Sequence, residues 1–136
     1  MEFSTFDVEP KRKRITVFKV GKLWIFKYFF EDKEVFKALL DYYNKDLYRF
    51  ELKSLGERNK VLKFLERNNF DYDLVDNLNG YVVKFPKSAK YLQILKNSIA
   101  FNETTTERIF LMKDLASVEE AVSLGAKIVE DEILFR

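Results

Sequence analysis

The sequence predicts one α+β domain, and three observations support that prediction. Short runs of β-branched and aromatic residues, typical of strands, alternate with segments whose apolar residues recur at helical spacing. The chain has 136 residues, which is the length of one domain. Apolar residues make up 47% of it and charged residues 34%, the balance of a globular protein rather than of a disordered chain.

The chain is predicted to begin its folded part with a long β-hairpin. Residues 15–20 and 23–30 are rich in β-branched and aromatic side chains, which favours two strands. A two-residue turn that starts at Gly21 suits the connection between them. This turn places Lys19 opposite Trp24.

A helix, a strand and a second helix are predicted next. Asp32 suits the N-cap of a helix over residues 33–44, where apolar residues follow helical spacing. Residues 47–53 alternate between apolar and charged side chains, which predicts a strand with one buried face. Ser54, with a Glu three residues later, forms a capping box for a helix over residues 55–68.

The remaining elements follow the same alternation. Residues 70–75 and 81–85 are predicted strands joined by turn-forming residues, and Ser88 precedes a helix over residues 89–99. Residues 101–107 are a predicted polar loop. The chain closes with a predicted strand over residues 108–112, a helix capped by Ser117 that runs to Leu124, and a strand over residues 127–135.

The predicted element order is ββαβαββαβαβ in a single domain over residues 1–136. Within it, residues 47–112 have the order βαββαβ of a ferredoxin-like unit. Residues 1–14 are predicted to be a flexible segment, first acidic and then basic. Because the sequence shows neither a signal-peptide pattern nor an apolar run of ~20 residues, we expect a soluble, cytoplasmic protein with no membrane partner.

The composition excludes several kinds of catalytic site. The chain has no Cys and no His, which removes thiolate nucleophiles, Ser-His-Asp triads and most transition-metal sites. Its four glycines are isolated from one another, so no phosphate-binding loop is formed. We expect no catalytic residue, no metal site and no small-molecule cofactor.

The basic residues are concentrated in one block. Residues 11–30 contain seven Lys and Arg and no acid, although the net charge of the chain is only +2. Such a block indicates one of two roles. It binds nucleic-acid phosphates, or it is a solvated flank that only aids solubility. The predicted phosphate contacts are these seven cations and two on the expected exposed face of residues 47–53: Lys11, Arg12, Lys13, Arg14, Lys19, Lys22, Lys27, Arg49 and Lys53.

Both faces of the predicted hairpin are largely apolar. The aliphatic face, with Ile25 and Phe29, is expected to pack on the protein's own helices, which leaves the aromatic face for a partner. Flat rings interleaved with cations suit unpaired bases, so we predict base stacking on Trp24, Phe26 and Tyr28. A core built on aromatic residues, or a subunit interface, explains the same pattern without nucleic acid.

The order of these features is similar to that of a known family. The residues concerned are the basic run 11–14, the hairpin aromatics Trp24, Phe26 and Tyr28, and the strand sequence Leu47-Tyr48-Arg49-Phe50-Glu51. The ThermoDBP-related single-stranded nucleic-acid-binding proteins of hyperthermophilic archaea show a similar arrangement over residues 11–99. The resemblance implies sequence-tolerant binding of single strands in an aromatic, apolar cleft flanked by basic residues.

Abundant Lys and Glu with a single Gln also favour a thermophile, although eight Asn residues weaken that inference.

Three functions are therefore expected, in decreasing order of support. The first is non-enzymatic binding of single-stranded DNA or RNA with low sequence specificity. The alternative is a protein–protein interaction module that forms a homodimer through the aromatic hairpin. The third is a magnesium-dependent nuclease of the PD-(D/E)xK type, because Glu51-Leu52-Lys53 is a Glu-x-Lys triplet on a strand before a helix. Charge alternation on a solvated strand explains that triplet without a catalytic role.

Overall fold

The α+β class is confirmed by the computed structural model, which describes residues 12–130 and residue 135. These residues form nine strands in two sheets, four α-helices and one 3-10 turn. The order of the first sheet is β3-β4-β2-β1-β5, and that of the second is β7-β8-β6-β9. No helix in the described part of the chain is long and apolar enough to cross a bilayer.

The predicted hairpin forms the centre of the first sheet. Strand β1 (Lys13–Val20) pairs with β2 (Leu23–Phe26) in antiparallel fashion, with Lys19 opposite Trp24 as predicted. Gly21 has a φ of 59°, which fits the first position of the expected tight turn. The other strands of this sheet are β3 (Tyr43–Asn44), β4 (Arg49–Leu52) and β5 (Phe70–Val75), of which β5 pairs parallel to β1.

Two helices cover one face of the first sheet. Asp32 caps α1 (Lys33–Ala38) by accepting a hydrogen bond from the Glu34 N–H, and the 3-10 turn (Leu40–Tyr42) follows. Ser54 caps α2 (Leu55–Arg67), and its Oγ lies 3.1 Å from the backbone N of Glu57. Both caps were predicted.

The second sheet is wholly antiparallel and carries the other two helices. Its strands are β6 (Val82–Pro86), β7 (Ser98–Glu103), β8 (Glu107–Met112) and β9 (Lys127–Ile128). The helices are α3 (Leu92–Lys96) and α4 (Leu115–Ser123). The N-cap of α4 is Asp114 rather than Ser117, because the Asp114 carboxylate accepts the Ser117 N–H from a position one turn earlier.

The ferredoxin-like unit predicted for residues 47–112 is not formed. Its strands divide between the two sheets, because β4 and β5 pair with the hairpin whereas β6, β7 and β8 pair with one another. The predicted helix over residues 89–99 is only five residues long, and residues 101–103 of the predicted polar loop belong to strand β7. Ser98, Ile99 and Ala100 are buried, so burial against the rest of the protein favours a strand there.

Three hydrophobic clusters order the layers as helix, sheet, sheet, helix. The first cluster joins one face of the hairpin to α1 and α2, through residues such as Phe26, Val35 and Leu65. The second lies between the sheets and includes Phe18 and Leu111. The third joins the outer face of the second sheet to α3 and α4. The hairpin is therefore buried on both faces.

Candidate functional site

The aromatic face of the hairpin is covered by the protein's own helices. Phe26 is fully buried, and its ring stacks on that of Phe50 with centroids 4.8 Å apart. The prediction that Phe26 stacks on a base is therefore wrong, because α1 and α2 pack over it. The opposite face is covered too, but Phe29, which we predicted to be buried there, is 85% exposed. Strand β2 ends at Phe26, so the alternation of strand faces does not extend to Phe29.

The other two predicted stacking residues are partly buried. The Trp24 ring is flanked by two cations, with Lys19 Nζ 4.8 Å and Arg58 Cζ 5.2 Å from the ring centroid. The Tyr28 ring packs against Phe70 at the far end of β2. Trp24 lies near the start of β2 and Tyr28 two residues beyond its end, and the buried Phe26 between them interrupts the predicted platform.

Two arginines of the basic block are paired with acids of strand β5. Arg12 Nε lies 2.8 Å from Asp71 Oδ1, and Arg14 binds both carboxylate oxygens of Asp73 at 2.8 and 2.9 Å. The hydrogen bond from Arg14 lowers the pKa of the Asp73 carboxyl below its ordinary value. The parallel pairing of β1 with β5 brings these charges together, so both arginines stabilise that pairing.

The remaining predicted phosphate contacts differ in their surroundings. Lys13 and Lys22 are exposed, with Lys13 4.0 Å from the carboxylate of Glu31. Lys53 is also exposed. Strand β1 begins at Lys13, so residues 13 and 14 belong to the sheet rather than to the predicted flexible segment 1–14. The predicted contact Lys11 and residues 1–10 lie outside the described residues.

Arg49 contradicts the prediction that it lies on an exposed strand face. Its side chain is 4% exposed, and it donates from Nε to Glu51 and from Nη1 to the backbone oxygen of Ile99, both at 2.8 Å. The second bond joins the two sheets. Arg49 is therefore a buried structural cation, because the face predicted to be solvated packs toward the second sheet.

Glu51 of the Glu-x-Lys triplet is held by neighbouring side chains. Glu51 Oε2 accepts hydrogen bonds from Arg49 and from Asn44 Nδ2. Within residues 12–130 and at residue 135, no three Asp or Glu side chains are grouped as a metal site would need.

A cleft whose apolar lining is mainly aromatic lies beyond the end of β2. We call it the aromatic cleft, and its volume is about 830 Å³. It lies between the segment after β2, the β3–β4 region, α1 and the α3–β7 connection. Its apolar lining consists of Tyr28, Phe29, Phe30, Phe36, Tyr43, Tyr48, Phe50, Leu92 and Leu95.

Two aromatic rings on this cleft are unusually exposed. Phe29 is 85% exposed and Tyr48 is 64% exposed, whereas their neighbours Phe30 and Phe50 are buried. Tyr48 also has a φ of 54°, a left-handed backbone conformation that costs a non-glycine residue about 1–3 kcal/mol. The Asn44 side chain supports the turn before it by accepting the N–H groups of Asp46 and Leu47.

The charged lining of the aromatic cleft is strongly asymmetric. Four lysines line it: the exposed Lys33 and Lys96, which we call the rim lysines, and the partly buried Lys27 and Lys113, which we call the junction lysines. Among the lining residues that the structure describes, the only acid is Glu31. Among the predicted site residues that the structure describes, only Lys27 and Tyr28 line the cleft.

Several cleft residues were not predicted. Tyr48 was assigned to a buried face by strand alternation, but β4 begins only at Arg49, and the residue before it turns outward. Leu92 and Lys96 were assigned to a longer helix, and Lys113 to no function. The Asn44–Asp46 turn formers were the available signal for the β3–β4 turn; nothing local indicates that α3 lies opposite Phe29.

Comparison of the chain with protein-family models, with curated proteins and with solved structures gives no match. The function is therefore inferred from the cleft itself.

Proposed function

We propose that the protein binds single-stranded DNA or RNA with low sequence specificity in the aromatic cleft. Phe29 and Tyr48 would stack on bases, and the rim and junction lysines would contact phosphates. The observation that carries this proposal is the coincidence of two exposed aromatic rings with four lysines and one acid in a single cleft.

The exposed apolar surface supports a binding role. Single exposed apolar residues are common on proteins, but a contiguous group beside a cleft marks an interaction site. Leu92, which is 72% exposed, extends the surface formed by Phe29 and Tyr48. The backbone conformation of Tyr48 adds to this, because strained residues that hold a side chain outward concentrate at functional sites.

The charges of the cleft favour a polyanionic ligand over a purely apolar one. A purely apolar partner would have to desolvate or displace four ammonium groups, whereas phosphates form charge-assisted hydrogen bonds with them. Stacking is tolerant of sequence because every base has a π-face. The pair of interactions therefore fits low sequence specificity.

The same surface favours self-association as a second candidate. Leu92 and Leu95 are exposed beside Phe29, and a second copy of the chain would bury all three. This candidate requires no nucleic acid, and it predicts a dimer that Phe29→Ala converts to a monomer.

Fluorescence anisotropy with a labelled single strand of about 20 nucleotides, longer than the ~4–16 nucleotides of common single-strand sites, tests the proposal. We expect Phe29→Ala to weaken binding about 5- to 150-fold, since a stacked base is worth ~1–3 kcal/mol. The matched control is Phe101→Ala, because Phe101 is a partly exposed Phe on β7 outside the cleft. Equal affinities of the two variants, or no binding by the wild type at low salt, would contradict the proposal. Sedimentation of the same variants identifies self-association.

A further inference from the structure

We propose that the junction lysines form a phosphate subsite, so that the aromatic cleft receives the end of a strand that carries a terminal phosphate. This inference rests on the proposed function and deepens it, since it names which part of a single strand the cleft holds.

Lys27 is placed at the junction of the two sheets. It directly follows β2, and its Nζ donates a hydrogen bond to the backbone oxygen of Ser98 at 2.8 Å, at the start of β7. An ammonium group has three N–H donors, and this bond uses one. Among the described residues, no carboxylate lies within salt-bridge distance of Lys27 Nζ.

Lys113 reaches the same junction from the second sheet. It directly follows β8, and its N–H donates to the backbone oxygen of Asn97, the residue before Ser98. Its Nζ lies 2.9 Å from Asp114, but that carboxylate also accepts the Ser117 N–H as the cap of α4. Asp114 is thus shared between two donors and compensates only one of the two junction lysines.

Two partly buried ammonium groups at one place favour an anion between them. Burial lowers the pKa of Lys27 from its ordinary value, and the positive charge of Lys113 lowers it further. A phosphate at the junction would relieve this repulsion and accept the unused N–H groups. The rim lysines need no such ligand, because both are exposed to water.

The junction suits a chain end better than the middle of a strand. Two hydrogen bonds join the sheets there, from Lys27 to Ser98 and from Arg49 to Ile99. An internal phosphodiester continues into chain on both sides of the phosphate, and beside Lys27 these two hydrogen bonds hold the sheets together. A terminal phosphate continues into chain on one side only, and it carries close to two negative charges at neutral pH rather than one.

The test compares three strands of one sequence, with a 5′-phosphate, a 3′-phosphate or hydroxyl groups at both ends. For the wild type, we expect one phosphorylated strand to bind about tenfold more tightly than the hydroxyl strand, as charge-assisted hydrogen bonds predict. Which strand is favoured identifies the end that enters the cleft. Lys27→Met and Lys113→Met should each abolish most of the preference, whereas the rim variant Lys33→Met should weaken all three strands equally.

Three results would overturn the inference. The first is equal binding of all three strands by the wild type, which leaves the proposed function intact. The second is a preference that survives in both Lys27→Met and Lys113→Met. The third is no binding of any strand, which overturns the proposed function as well.

Discussion

Phe26 and Phe29 lie three residues apart in one aromatic run, yet the first is fully buried and the second is 85% exposed. The difference arises where β2 ends. Up to Phe26 the strand alternates regularly, and its aromatic face is buried under α1 and α2. Beyond it, the segment leaves the sheet and lines the aromatic cleft. An aromatic residue therefore has a structural role in the hairpin and a candidate binding role in the cleft.

The cations divide along the same boundary. On β1, Arg14 pairs with Asp73, and neighbouring Arg12 pairs with Asp71. In the cleft, the described lining contains four lysines and one acid. Arg12 and Arg14, from the densest basic run of the sequence, thus stabilise the pairing of β1 with β5, whereas the candidate interface takes its cations from four separate segments.

The largest expected effect is a difference in the free energy of unfolding between the Phe26 and Phe29 variants. Phe26→Ala should lower the free energy of unfolding by about 3–5 kcal/mol, because it leaves a cavity in the first core cluster. Phe29→Ala should change it by no more than ~0.5 kcal/mol, as for most surface substitutions. Urea denaturation followed by circular dichroism measures both. Similar losses in the two variants would mean that Phe29 also belongs to the core.

An intermediate effect is expected in the salt dependence of nucleic-acid affinity, which should differ between cleft lysines and hairpin arginines. Removing one phosphate contact by Lys96→Gln should reduce the slope of log affinity against log salt by about 0.7, the value per contact on single strands. Arg14→Gln should leave that slope unchanged, since Arg14 is already paired with Asp73. Anisotropy titrations at several salt concentrations measure both slopes. A reduced slope in Arg14→Gln alone would contradict the proposal and place the interface on the hairpin.

The smallest expected effect concerns the arginine-bound acid on β5. Since the folded-state pKa of Asp73 is lowered, its stabilising contribution is present above the unfolded-state pKa of ~3.9 and is lost as pH falls through the lower folded value. Asp73 is partly exposed, so Asp73→Asn should cost less than ~1 kcal/mol at neutral pH and nothing at the acid end. Unfolding measured across pH tests this. A difference from wild type that grows on acidification would contradict the sign.

Local patterns predicted most elements but few long-range pairings. The hairpin turn at Gly21 and the caps at Asp32 and Ser54 depend on neighbouring residues, and all three are confirmed. The partition of strands into two sheets depends on which distant segments pair, and the βαββαβ order misassigned it.

The candidate site was less predictable for the same reason. The aromatic and basic character of residues 11–30 indicated a binding surface, but burial reverses the roles of Phe26 and Phe29, and Arg49 is buried by contact with Ile99 in the other sheet. The cleft is built from segments distant in sequence, so no local pattern reveals it.

The central claim is that the cleft, and not the hairpin face, holds a single strand. Ultraviolet crosslinking of a strand that contains 5-bromouracil, followed by mass-spectrometric mapping of the attached residues, tests it most directly. The account predicts attachment at Phe29 or Tyr48, and little at Trp24, at the opposite end of β2 from Phe29. Attachment mainly at Trp24, with Phe29 and Tyr48 unmodified, would contradict it.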